Sequence, residues 1–171
     1  MKFKTFFPVI GICFFATGCK SKIAIEYNNM VVENQKSLGN AMVVAEPQLK
    51  NYFASFEYDS IVTVSNRLEV KIDSILQEIK KKPAPKADQG ENFKNVALKY
   101  FDYMKSIYTS YKNYGLQTTP EGRQIEREDM SMVLSQEDKM IADMQEAQMI
   151  FAKDNNFKIR ATNQNNSLVA K

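Results

Sequence analysis

Histidine and tryptophan are both missing from this 171-residue chain, which has only two cysteines, six glycines and five prolines. Without histidine there is no Ser-His-Asp or Cys-His catalysis, no Glu-x-x-His pair of a di-iron bundle, no zincin motif and no histidine-ligated haem. Carboxylate, lysine or tyrosine chemistry would need a geometry that no motif here announces, so the expectation is a protein that is not an enzyme. Both cysteines, Cys13 and Cys19, fall in the first 19 residues. The remainder therefore has no thiol nucleophile, no thiolate ligand and no disulfide. Few glycines and no runs of alternating β-branched residues make helix the default.

What is present begins with a leader. Lys2 and Lys4 form a short positive region, FFPVIGICFF at 6–15 is an apolar run, and Ala16-Thr17-Gly18 supply small residues before Cys19. That is the layout of a secretory signal peptide, with an apolar run too short to span a bilayer core of about 30 Å. A buried first helix fits less well, because Pro8 and Gly11 interrupt the stretch and Gly18 follows it. Ala16-Thr17-Gly18-Cys19 also resembles the bacterial lipobox. The resemblance implies diacylglycerol on the Cys19 sulfur, cleavage before Cys19 and an N-acyl chain such as palmitate on the new amino group. Two or three acyl chains hold a protein stably on a membrane where one does so only reversibly. No other cofactor is expected.

Removal of residues 1–18 leaves 153 residues, enough for one domain with a single core. With Lys2 and Lys4 gone, 21 basic residues face 20 acidic ones, a balance of +1. Near-neutrality excludes the basic face of a nucleic-acid binder.

Amphipathic stripes then mark four helices. Tyr27, Met30, Val31, Leu38, Ala41, Met42 and Ala45 follow three- and four-residue steps up to Pro47, which is expected to end the first helix. QLKNYFASFE at 48–57 reads as a short helical connector. Asp59-Ser60 reads as a cap for the stripe Ile61, Val64, Leu68, Ile72, Ile75, Ile79, closed by Lys80-Lys81-Lys82 and stopped by Pro83 and Pro85. KKKPAPK is read as a C-terminal cap and solvated linker in preference to a basic membrane patch. Asp88-Gln-Gly-Glu91 has the form of a capping box before Phe93, Ala97, Tyr100, Met104, Ile107, Tyr111 and Tyr114, a bundle seam ending at Gly115 as C′ residue. Thr118-Thr119-Pro120-Glu121 starts a fourth helix running to about Asp154, with Ile125, Met132 or Val133, Met140, Met144, Ala147 and Phe151 inward. The fold expected is an all-α, antiparallel four-helix bundle with a short connector, following a signal peptide. The organisation is leader 1–18, lipid-anchored linker 19–26, bundle 27–158 and flexible tail 159–171.

Asp88 to Phe101, Tyr103 to Ile107 and Ala147 to Lys153, with Tyr27-Asn28 and Gln35 near the start, resemble an uncharacterised family of bacterial surface or periplasmic lipoproteins. The resemblance implies a helical bundle on a lipid anchor and carries no catalytic or binding residues.

Candidate contact residues come from side-chain chemistry. Tyr100, Tyr103, Tyr108, Tyr111 and Tyr114 crowd one helix and offer either a groove for a flat ligand or a tyrosine-rich core; Tyr103 and Tyr108 lie off the seam. Met140 and Met144 stack on one helical face, as adaptable filler or mobile binding surface, and too few for a Cu(I) site. No metal site is expected. Glu126, Glu128, Asp129, Glu137 and Asp138 interleave with Arg123, Arg127 and Lys139 as a solvated face. Asp59-Ser60-Ile61 matches a short O-glycan acceptor pattern at Ser60.

The sequence thus reads as a lipid-anchored cell-envelope protein, placed at the outer membrane, on either face, ahead of the inner membrane. It acts as an interaction or structural module on an envelope protein or surface ligand. The alternative is a small-ligand carrier with an apolar cleft between its last two helices.

Overall fold

The computed structural model describes residues 9–13 and 18–162. Most of the leader, Ala16 and Thr17 of the lipobox, and residues 163–171 of the expected tail lie outside the described residues. Five helices follow in order: α1 Gly18–Ser55, α2 Tyr58–Lys81, α3 Gly90–Leu116, α4 Pro120–Leu134 and α5 Glu137–Asp154. A short antiparallel ribbon pairs β1 (Val9–Cys13) with β2 (Lys158–Thr162), Val9 opposite Thr162. The architecture is an all-α bundle, with helices packed on one another around one core.

The tightest seam joins α2 and α3. Ile61, Val64, Leu68, Ile72, Ile75 and Ile79 are all buried, as are Phe93, Ala97, Tyr100, Met104, Ile107, Tyr111 and Tyr114. Each large side chain withdrawn from water contributes about 1.5–3 kcal/mol. Polar pairs along the edge fix the register: Lys105 Nζ meets Asp73 at 2.8 Å, and one α3 turn pair later Lys112 and Thr109 both donate to Glu69. Residue numbers rise on α3 as they fall on α2, which is the antiparallel arrangement. At the top of the seam Gly115 lies inside α3. A Cβ there would stand 2.8 Å from Val62 and 2.9 Å from the Tyr58 carbonyl, so this glycine admits close approach of α2 and does not end the helix.

Several boundaries differ from the sequence reading. Pro47 lies within α1, and the expected connector 48–57 continues that helix to Ser55. Pro47 is exposed while Leu49 is buried. Loss of one hydrogen bond on the wet side is therefore offset by extension of the apolar stripe. Residues 19–26 are helix in place of linker, with Ser21, Ala24 and Ile25 buried. The expected fourth helix breaks at Ser135-Gln136, where the Ser135 hydroxyl bonds back to Met132 O at 2.7 Å and competes with the helical ladder. Ile125 and Met132 are about three-fifths exposed (61% and 60%), and Met130 is the buried residue of α4. The α2 cap position is Glu57 in place of Asp59-Ser60. That of α3 is Gln89, at φ 61°, in place of Asp88. Residues 158–162, counted largely as tail, form β2.

Other expectations hold. Thr119 accepts from the Gly122 N–H at 3.0 Å with Pro120 at the first helical position, and Lys80 and Lys81 occupy the last turn of α2. α5 ends in a Schellman turn: Asn156 has φ 57°, Phe157 N–H bonds Ala152 O at 3.0 Å, and the Phe157 ring lies edge-on to Phe151 at 5.8 Å.

The ends are sorted by the antiparallel order. Asn155, after α5, receives the Ser21 hydroxyl of α1 on its carbonyl at 2.8 Å. Its own amide donates to Asp88 O in the α2–α3 loop, also at 2.8 Å. The start of α1, the end of α2, the start of α3 and the end of α5 therefore share one end. Nearby, buried Asn28 accepts from Gln148 at 2.9 Å, and Phe93 stacks on Phe151 at 4.6 Å.

Two substitutions test this packing by thermal unfolding. Pro47→Ala restores a helical N–H and raises Tm, with a gain of about 1–3 kcal/mol. Gly115→Ala pushes α2 from α3 and lowers Tm, at a cost of about 1–3 kcal/mol.

Candidate functional site

The side chains singled out from the sequence are mostly core. Tyr103, Tyr108 and Tyr111 are 7%, 1% and 2% exposed, and Met140 and Met144 are 7% and 2% exposed, so none presents a face to a partner. Tyr103 and Tyr108 are the correction: α3 packs against α2, α4 and α5, which buries more of its circumference than a two-sided seam would. Tyr103 donates to Val133 O at 3.2 Å and Tyr108 to Glu46 at 3.4 Å. Ser60 is half-buried in the first turn of α2, its hydroxyl 3.4 Å from a Glu57 carboxylate oxygen. Cys19 lies in the first turn of α1; its side chain is outside the described atoms. Among the described residues no three His, Cys, Asp or Glu side chains gather as a metal site, and no helix is long and apolar enough to cross a membrane.

A groove lies beside these residues, where α1, α3 and α4 meet. α4 packs on α3 and makes little contact with α1, so the bundle stays open along that side. At its upper end a cavity of about 400 Å³ is lined by Lys50, Phe53, Ala54, Phe56, Tyr114, Arg127 and Met130. Tyr114 of α3 and Arg127 and Met130 of α4 come from the two segments between which a cleft was expected, and α1 supplies the rest of the lining. Its floor is aromatic: Phe53 stands edge-on to Tyr111 at 5.4 Å and tilted on Tyr114 at 5.2 Å. Arginines cover the outer side. Arg127 lies 5.7 Å from the Tyr114 ring centre and donates to its hydroxyl at 3.2 Å, and Arg123 lies 4.1 Å over Tyr58. Such stacking adds roughly 0.5–1 kcal/mol per exposed pair and fixes where the cations point.

Phe56 forms the lip. It has φ 59°, at the position following α1, where the Glu57 N–H returns to Tyr52 O at 3.0 Å. That Schellman position normally takes glycine, and a phenylalanine there costs about 1–2 kcal/mol. The ring is nevertheless 64% exposed. A strained, solvent-facing aromatic beside an apolar cavity with Lys50 and Arg127 at its mouth is suited to an apolar group carrying negative charge. The signal in the sequence is the aromatic spacing of YFASFEY at 52–58, most of which falls in the expected connector.

Below the groove, half-buried Glu46 faces Tyr108. Burial first, and then the charge of Glu137, raise its pKa from 4.5 to about 7 against the opposing effect of the Tyr108 hydrogen bond. Burial and Asp138 raise Glu137 as well. Burial, with Glu137 next, holds the Tyr100 and Tyr103 hydroxyls far above their usual range, so both stay protonated. Neither Glu46 nor Glu137 lines the cavity.

No family model, curated protein or solved structure matches this chain.

Glu46 sets a pH dependence. Its folded pKa exceeds its unfolded one, so the folded state holds the extra proton, and stability falls as pH rises from about 4.5 to about 7 and then levels off. Glu46→Gln should flatten that slope and raise stability at about pH 8 by up to about 3 kcal/mol. Urea unfolding of both proteins at about pH 5 and about pH 8 reads the difference.

Proposed function

We propose that this chain is a lipid-anchored module of the cell envelope that binds a partner through the groove between α1 and α4 and catalyses no reaction. The observation that carries the reading is the position of two features at opposite ends of one helix. Cys19 is in the first turn of α1 and Phe53 in its last, a rise of about 50 Å at 1.5 Å per residue. An acylated Cys19 holds one end at a bilayer and directs the groove away from it. Tyrosine, phenylalanine, methionine and arginine are the residues enriched at protein interfaces, and here they line one site. The partner suited to it inserts an apolar side chain and places a carboxylate near Lys50 and Arg127. The strand β1 belongs to the leader; cleavage before Cys19 removes it and leaves β2 unpaired, while the α1–α5 contacts persist.

A second reading rests on the same cavity volume. About 400 Å³ of mostly apolar space with two cations at the mouth also accommodates the tail of a small amphipathic anion. Titration with a fluorescent fatty acid separates the two: saturable binding that Met130→Trp blocks supports a carrier.

The partner reading is tested with a photoreactive amino acid placed at Ala54, at Phe56 or, as a control, at exposed Val70 on α2. In intact cells the first two sites should give one discrete crosslinked species that Arg127→Glu reduces at least about tenfold. The Val70 site should give none. Equal crosslinking from all three positions, or none from the groove, contradicts the proposal.

A further inference from the structure

We propose that the end of the bundle beside Cys19 is itself a docking face for anionic lipid headgroups of the membrane that holds the anchor; this rests on the tethered reading above. Two independent features meet there. The first is the length of the tether. Ser21 is buried and bonded to Asn155 O, only two residues beyond Cys19, so at most about 7 Å of chain separates the anchoring residue from the packed end of the bundle. No linker lets the domain drift away.

The second is charge. Residues 18–26, 78–94 and 153–158 form this end and contain nine lysines against five carboxylates. Residues 46–60 and 112–129 form the opposite end and contain four cations against seven carboxylates. The rod is therefore positive where the tether is and negative where the groove is. Lys22, Lys80, Lys81, Lys82, Lys86 and Lys153 are exposed around the anchored end. Lys94 is used within it, donating to Lys80 O and Lys82 O at 3.3 and 2.8 Å, which caps α2 and leaves the neighbouring ammonium groups outward. Gly90 keeps the α2–α3 loop tight: a Cβ there would lie 2.1 Å from Pro85 O. The lysines of that loop are thus held on a fixed scaffold.

A surface charge attracts counter-charges only within a screening length of about 8 Å. The short tether places these lysines inside that distance, where each adds appreciable attraction to an anionic leaflet. Acyl chains then hold the protein in the membrane, and the lysines orient it, rod upright and groove outward.

Vesicle sedimentation of the full-length Cys19→Ser chain, which cannot be acylated, isolates the electrostatic part. Vesicles of about one third phosphatidylglycerol in phosphatidylcholine are compared with phosphatidylcholine alone. Expected is at least about tenfold tighter binding to the anionic vesicles, lost in about 1 M salt, where screening shortens to about 3 Å. Replacement of Lys80, Lys81, Lys82 and Lys86 by glutamine should remove that preference, while four glutamines replacing Lys36, Lys50, Lys99 and Lys139, all exposed and outside this end, should not. The leader is common to every variant and cancels in the comparison. Equal binding to both vesicles, or equal loss from both sets of replacements, overturns the proposal. Because no acyl chain is involved, these outcomes are independent of whether Cys19 is modified in the cell.

Discussion

The pairing of α2 with α3 governs the rest of the molecule. Six aliphatic positions on one helix meet seven seam positions on the other, and Glu69, buried at 5% exposure, admits only one register because Lys112 and Thr109 must both reach it. A buried carboxylate without its partner would cost several kcal/mol, so a slip by one turn is strongly penalised. Once that register is set, the chain has no choice about its ends. α1 and α5 add on either side, and Asn155 joins the start of α1 to the α2–α3 loop.

Antiparallel order turns this packing into a molecule with two different ends. One gathers lysines and the residue expected to be acylated. The other gathers aromatics, arginines and a cavity that the core does not fill. α4 and α5, separated at Ser135-Gln136, both pack on α3, and α4 makes little contact with α1. The strain at Phe56 belongs to this arrangement: the seam already supplies the stability, and the chain tolerates a costly residue where its ring stays in solvent.

Much of this was legible in the residues, and the physical reasons for the remainder are specific. The α2 and α3 stripes, the Thr119-Pro120 start and the Lys80–Lys82 close were readable because period and capping chemistry are local properties. Pro47 misled because its cost is local, whereas the burial of Leu49 that outweighs it is tertiary. Tyr103 and Tyr108 misled because a helical wheel assumes one buried face, and α3 has neighbours on three sides. The groove was invisible, since Lys50, Phe56 and Arg127 come from separate segments that meet only in the packed bundle. Asn28 and Gln148 are bonded to each other in the core, a structural reason for their presence that no pattern revealed.

The account as a whole depends on which atom begins the working protein and what its sulfur carries. Intact-mass and N-terminal analysis of the protein isolated from its native membrane measures both at once. The account predicts a chain beginning at Cys19, heavier than its polypeptide by a diacylglycerol and an N-linked acyl chain. A chain that retains residues before Cys19, or a Cys19 with a free thiol, would contradict it.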